Sequence, residues 1–162
     1  MQSAQMEKSV GAGLSIPAWE RALPVIFAVT IGLSAFLLFA VQPLFARMVL
    51  PSLGGSPSVW AVAMCFFQTV LLAGYCYAHL LNSRLTPAHA VVVHVAVLAV
   101  ACVALPITLP AAASTPPEGN TYLWLIGILG AGVGLPFFAV SANAPLLQSW
   151  FGRTGHAHAA DP

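Results

Sequence analysis

Between Arg21 and Arg84 the chain carries a single formal charge, Arg47, and that scarcity limits what it can fold into. After Arg84, only Glu118 interrupts the uncharged sequence before Arg153. Such a stretch supplies too few charged side chains to cover a water-facing surface. Asp, Glu, Lys and Arg make up 6% of the 162 residues, against about a quarter in an ordinary soluble domain, and 59% are hydrophobic. The apolar surface therefore has to face lipid, or lipid and neighbouring helices. The net charge of +1 has no basic patch or acidic run behind it, so nothing points to a nucleic-acid partner.

Four apolar runs, 23–41, 59–81, 88–109 and 122–144, predict four transmembrane helices. At 1.5 Å per residue each run covers about 28 to 35 Å, which matches a hydrocarbon core of about 30 Å. Pro24 falls where a first helical turn tolerates it, and Trp19, Tyr122 and Trp124 suit interfacial anchoring. Ser56 followed by Pro57 reads as an N-cap and first helical position. Pro106 and Pro110 discourage continuation of the third run, and Pro136 predicts a kink in the fourth. The runs are continuously apolar rather than alternating, which argues against barrel strands. The expected class is all-α, an integral membrane four-helix bundle. Its parts are a tail over 1–21, a transmembrane domain over 22–148 and a second tail over 149–162. The first run lacks a small-x-small site after it and reads as a retained span rather than a cleaved leader.

The basic residues suggest an orientation. With the amino terminus cytoplasmic, Lys8, Arg21, Arg84 and Arg153 fall on that side and only Arg47 on the other. Both termini are therefore expected to be cytoplasmic, in a multi-pass protein of the inner (plasma) membrane. The link from Pro110 to Thr121 carries Glu118 and no positive charge, as an exported loop would.

Few residues invite chemistry. On a helical projection of the second run, Cys65, Gln68, Thr69, Cys76 and His79 lie within about 60° of one direction. A polar stripe in hydrocarbon is expected to face another helix or a hydrated cavity, where it serves interhelical hydrogen bonding or a substrate path. On the fourth run, Gly127, Gly130, Gly134, Ser141 and Gln148 share a face, and Gly130 with Gly134 makes a small-xxx-small pair. Close helix packing is the expected purpose, a transporter hinge the alternative. Arg47 lies between Pro43 and Pro51 in a segment that suits two turns at the outer interface, with Phe45, Met48 and Val49 dipping into lipid. Snorkelling to headgroups is one role for Arg47; polar recognition together with Gln42 is the other.

No cofactor or metal is expected. His89 and His94 are five positions apart, about 140° around a helix, and do not converge on one ligand. Cys76-x-x-His79 lacks two further companions, and His156-Ala-His158 with Asp161 is a short tail motif. Three cysteines, Cys65, Cys76 and Cys102, lie within apolar runs and read as small hydrophobes. Glu7, Glu20, Glu118 and Asp161 all fall in tails or loops, leaving no buried general base. Gly54-Gly55 lacks the spacing of a nucleotide loop.

The block from Phe36 to Trp60, FLLFAVQPLFARMVLPSLGGSPSVW, resembles the amino-terminal membrane part of bacterial spermidine-synthase-like membrane proteins, a fused transporter-like and spermidine synthase family. Phe67-Gln68, Leu72 to His79, Leu135 to Ser141, Ala144 to Gln148, Trp150-Phe151 and Asp161-Pro162 fit the same pattern. The resemblance implies a multi-helix membrane module followed by more helices and a cytoplasmic aminopropyltransferase-like domain. That domain's glycine-rich fingerprint is not in this chain, so no catalytic residue carries over. The resemblance then implies a truncated member or fragment. Its expected role is anchoring or transporter-like, with part of a polyamine-type transporter or a fragment of a membrane-bound aminopropyltransferase as alternatives. Expected partners are the lipid bilayer and further helices or a second copy.

Overall fold

The computed structural model describes residues 18–53, 56–106, 117 and 119–154, and among them the chain is all-helical. Helix α1 runs Ala18–Leu53, α2 Pro57–Arg84 and α3 Pro87–Val103. A fourth rod consists of α4 (Thr121–Leu129), a π-helical turn over Gly130–Gly134, α5 (Leu135–Ser141) and α6 (Asn143–Phe151). Three segments, Trp19–Val49, Pro57–Arg84 and Thr121–Phe151, are long and apolar enough to cross a membrane. Helix α3 is apolar but has only 17 residues, about 25 Å.

The local reasons for these boundaries lie in the sequence. Ser56 caps α2 as expected, its Oγ accepting from the Val59 N–H at 3.4 Å with Pro57 in the first turn. Thr86 and Pro87 open α3 in the same way, although the Thr86 hydroxyl meets His89 Nδ1 at 2.6 Å instead of capping the backbone. Helix α3 stops at Val103, short of the expected 109, because the residue before Pro106 is disfavoured in helical geometry. Residues 107–116 lie outside the described residues, as do 1–17 and 155–162, which include His156, His158 and Asp161.

One connector differs from expectation. The first span was expected to end at 41 and to give way to separate turns in lipid, yet α1 continues unbroken through Pro43 to Leu53. Phe45 (1% exposed) and Val49 pack into a core with Val59, Ala63 and Phe67 of α2, Leu125 and Leu129 of α4, and Val133 and Phe137. That contact, rather than lipid, receives Phe45 and Val49; Met48 alone of the three faces outward. Each proline removes one backbone donor, but a helix flanked by packed neighbours tolerates the loss.

The fourth rod lies at the centre, with α5 touching α1, α2 and α3. Two prolines account for its interruptions. Pro136 has no N–H to offer the carbonyl of Gly132, which sits in the π turn, and Pro145 leaves Ser141 without its i+4 donor at the point where α5 gives way to α6. A second apolar cluster, Ala78, Leu81, Ala90, Ala142 and Leu146, holds the opposite end of the molecule. Between the two clusters, α2 meets the fourth rod at Gly74. A Cβ built there would collide with the Ser141 hydroxyl and come within 3.0 Å of Ser141 Cβ and 3.3 Å of the Ala142 nitrogen. Only glycine permits that approach.

The outward surface is as apolar as the interior. Phe36, Phe39, Leu72, Val92, Val103 and Leu123 are all exposed, with Phe39 at 75%. Water would not tolerate a surface of this kind; hydrocarbon does.

Candidate functional site

The Ser34 hydroxyl donates to the carbonyl of Thr30 at 2.8 Å, as serines in helices do when no polar partner competes. Its proton being committed, Ser34 Oγ accepts from Asn143 Nδ2 at 3.1 Å. That contact orients the Asn143 amide, so its Oδ1 faces His94 Nε2 at 2.7 Å and the imidazole donates. A directional chain of hydrogen bonds thus joins α3, α6 and α1. Ser34 and His94 are both buried, His94 at 3% exposure.

The position of this chain matters. Ser34 lies near the middle of the Trp19–Val49 segment and His94 near the middle of α3. Polar groups at such depth are unfavourable unless they meet one another, and the three side chains do. Asn143 reaches across from the first position of α6, where α5 ends, its amide bonding His94 and Ser34.

The satisfaction is incomplete. His94 Nδ1, the Tyr77 hydroxyl, Trp150 Nε1 and Asn82 Oδ1 are buried atoms with no hydrogen-bond partner among the described residues. Leaving a buried polar group unpaired costs about 1–3 kcal/mol. The rings of Tyr77 and Trp150 flank His94, with centroids 5.9 and 6.4 Å from the imidazole. Tyr77 also packs on Phe138 at 5.3 Å, which holds its ring against the fourth rod. Beyond them, Arg153 Nη2 donates to the Asn82 carbonyl at 3.3 Å, tying α6 to the end of α2.

The residues singled out from sequence lie elsewhere. Gln68 and His79 are exposed, as are Cys65, Thr69 and Cys76. The polar stripe of α2 therefore lies outside its buried face, which Val59, Ala63, Phe67, Gly74, Ala78 and Leu81 form. The stripe was expected to face another helix or a hydrated cavity; two of its members, Cys65 and Thr69, border a recess with Val62, Phe66 and Ile126 of α4. Thr69 satisfies itself on the Cys65 carbonyl at 2.8 Å. Arg47 is exposed and Gln42 half-buried, and neither joins the hydrogen-bonded chain. Gly127 and Gly130, expected at a helix contact, have nothing within 4 Å of an added Cβ. Gly134 has only Phe66 and its own rod at ordinary contact distance, so the tight approach belongs to Gly74. Among the described residues no group of three or more His, Cys, Asp or Glu could hold a metal ion.

One recess in the apolar interior is chemically mute. Leu37, Val41, Leu105, Pro136, Phe137 and Val140 are among the residues around a cavity of about 160 Å³ whose lining is wholly apolar. It offers a ligand shape and no polar direction.

Sequence reasoning passed over Asn143 and Ser34 and gave His94 no partner. Helical spacing relates residues on one helix, and these three stand on three. A search for buried-capable polar residues near the centre of each run would have found Ser34 and His94, though not their common partner. Comparison with known proteins adds no assignment: no family model, curated protein or solved structure matches the chain.

Proposed function

We propose that this chain is a non-catalytic, multi-pass membrane module with four spans and both termini on the cytoplasmic side of a bacterial inner membrane. The observation that carries this reading is the outward apolar surface of three helices, each long enough to cross a bilayer. Helix α3 is the short one, and modest bilayer thinning accommodates a span of about 25 Å. The placement of Lys8, Arg21, Arg84 and Arg153 against Arg47 supports the orientation. The likeness of the block from Phe36 to Trp60 to spermidine-synthase-like membrane proteins supports a role as the anchoring or transporter-like part of such a system. Alkaline extraction tests insertion: the protein should stay with the membrane pellet, and release into the supernatant would sink the proposal. Single cysteines in place of Arg47 and Arg84, in a background where Cys65, Cys76 and Cys102 are serine, should react with an impermeant maleimide from opposite sides.

A second reading, part of a small-molecule transporter of polyamine type, is favoured by one feature. The interrupted fourth rod places Asn143 of the buried polar chain beside its break, as discontinuous helices do in carriers. Uptake of a labelled polyamine into vesicles should then require Asn143, and flux unchanged in Asn143→Leu would discard that reading. The remaining alternative, a fragment of an aminopropyltransferase, expects no product from putrescine and an aminopropyl donor with this chain alone.

A further inference from the structure

We infer that the unpaired polar atoms around His94 form an internal hydration site, in which water bound inside the helix assembly bridges His94 Nδ1 to the Tyr77 hydroxyl and the Trp150 indole. The inference rests on the membrane-spanning reading, since it concerns water held at a depth where hydrocarbon surrounds the chain. Three observations carry it. First, the bond from His94 Nε2 to Asn143 Oδ1 fixes the neutral ring so that Nδ1 presents a lone pair, and that atom has no partner among the described residues. Second, Trp150 Nε1 can only donate, while the Tyr77 hydroxyl both donates and accepts, and both are equally unpartnered. Third, the two rings stand 5.9 and 6.4 Å from the imidazole, centroid to centroid, so the three unpartnered groups belong to one cluster around His94.

The chemistry selects the occupant. One acceptor, one donor and one hydroxyl match a molecule that donates and accepts at once, which is what water does in buried polar sites. A cation would find a single imidazole and no carboxylate, and the indole N–H would repel it. An anion would find no positive side chain in the group. Asn82 Oδ1, unpartnered as well, lies toward the end of α2 where Arg153 holds the Asn82 carbonyl.

The test uses the full chain with ¹⁵N-labelled histidine, reconstituted in phosphatidylcholine vesicles, with water-to-nitrogen magnetisation transfer read by solid-state NMR. His94 signals are assigned by their loss in His94→Gln. The expected result is transfer from water to a non-protonated His94 Nδ1, falling severalfold in Tyr77→Phe/Trp150→Phe. The Nε2–H signal should persist in that variant, reporting an intact bond to Asn143. Tyr77→Phe alone, which removes one oxygen and keeps the ring, should give an intermediate loss. No transfer to His94 in the unaltered chain, or transfer unchanged in both variants, would overturn the site. Alkaline release from the same vesicles would count against membrane insertion instead, so the two failures are told apart.

Discussion

Asn143 and His94, separated by 49 positions of sequence, meet through a 2.7 Å hydrogen bond in the middle of an almost uncharged molecule. Asn143 passes the contact on to Ser34 at 3.1 Å, so one amide holds together three helices that have no other buried polar link among the hydrogen bonds described.

Removing that amide should be felt at both ends. Asn143→Leu leaves the His94 Nε2–H without its acceptor and is expected to lower stability by about 1–3 kcal/mol. His94→Leu added to it should recover part of the loss, because the second change removes the stranded donor. Reversible unfolding in detergent measures both; equal stability of Asn143→Leu and the unaltered chain would refute the structural role.

The pair Ser34 and Asn143 permits a finer measurement. A double-mutant cycle with Ser34→Ala and Asn143→Ala is expected to give a coupling of about 0.6–2 kcal/mol, the range of interhelical hydrogen bonds in membranes. Strict additivity would mean that the 3.1 Å contact contributes nothing.

Glycines on the two sides of the fourth rod should behave oppositely. Gly74→Ala drives a methyl into Ser141 and is expected to destabilise by about 1–3 kcal/mol, with Ser141→Gly restoring most of it. Gly130→Ala meets open space and should be neutral or stabilising by up to about 1 kcal/mol. Thermal unfolding of the three variants decides the matter, and a larger effect at Gly130 would reverse the assignment.

The extension of α1 makes its own prediction. Phe45→Ala empties a packed position between α2 and α4 and should cost about 3–5 kcal/mol, whereas Phe39→Ala, on the outward face, should stay within about 0.5 kcal/mol. Matching losses at the two positions would restore the picture of a connector lying in lipid.

Much of this architecture was legible in the amino-acid order. Long uncharged runs can satisfy their backbone only as helices in hydrocarbon, so helical class and the approximate starts at Pro57, Pro87 and Thr121 followed from elementary solvation and capping. The direction in which a face points was less legible. Periodicity shows that Gln68, Cys76 and His79 share a side, but on a helix apolar all round it does not reveal whether that side meets protein or lipid. The stripe drew attention outward while the buried face of α2 was carried by Gly74 and Ala78. His94 escaped for a related reason: its neighbours in sequence are histidines at unproductive angles, and its partner is an asparagine beside a proline-induced break. The continuation of α1 through Pro43 was hidden because proline ordinarily ends helices, and only tertiary packing overrode that preference.

The meeting of Gly74 with Ser141 has a mechanical meaning. A side chain seated against bare backbone acts as a peg in a notch, and the residues one turn before and after the notch on the same face, Val70 and Ala78, both carry a Cβ. Sliding α2 along the fourth rod by one turn, about 5.4 Å, would bring such a Cβ against the peg. The two rods are therefore keyed at this point: axial displacement of α2 meets a steric stop within one turn.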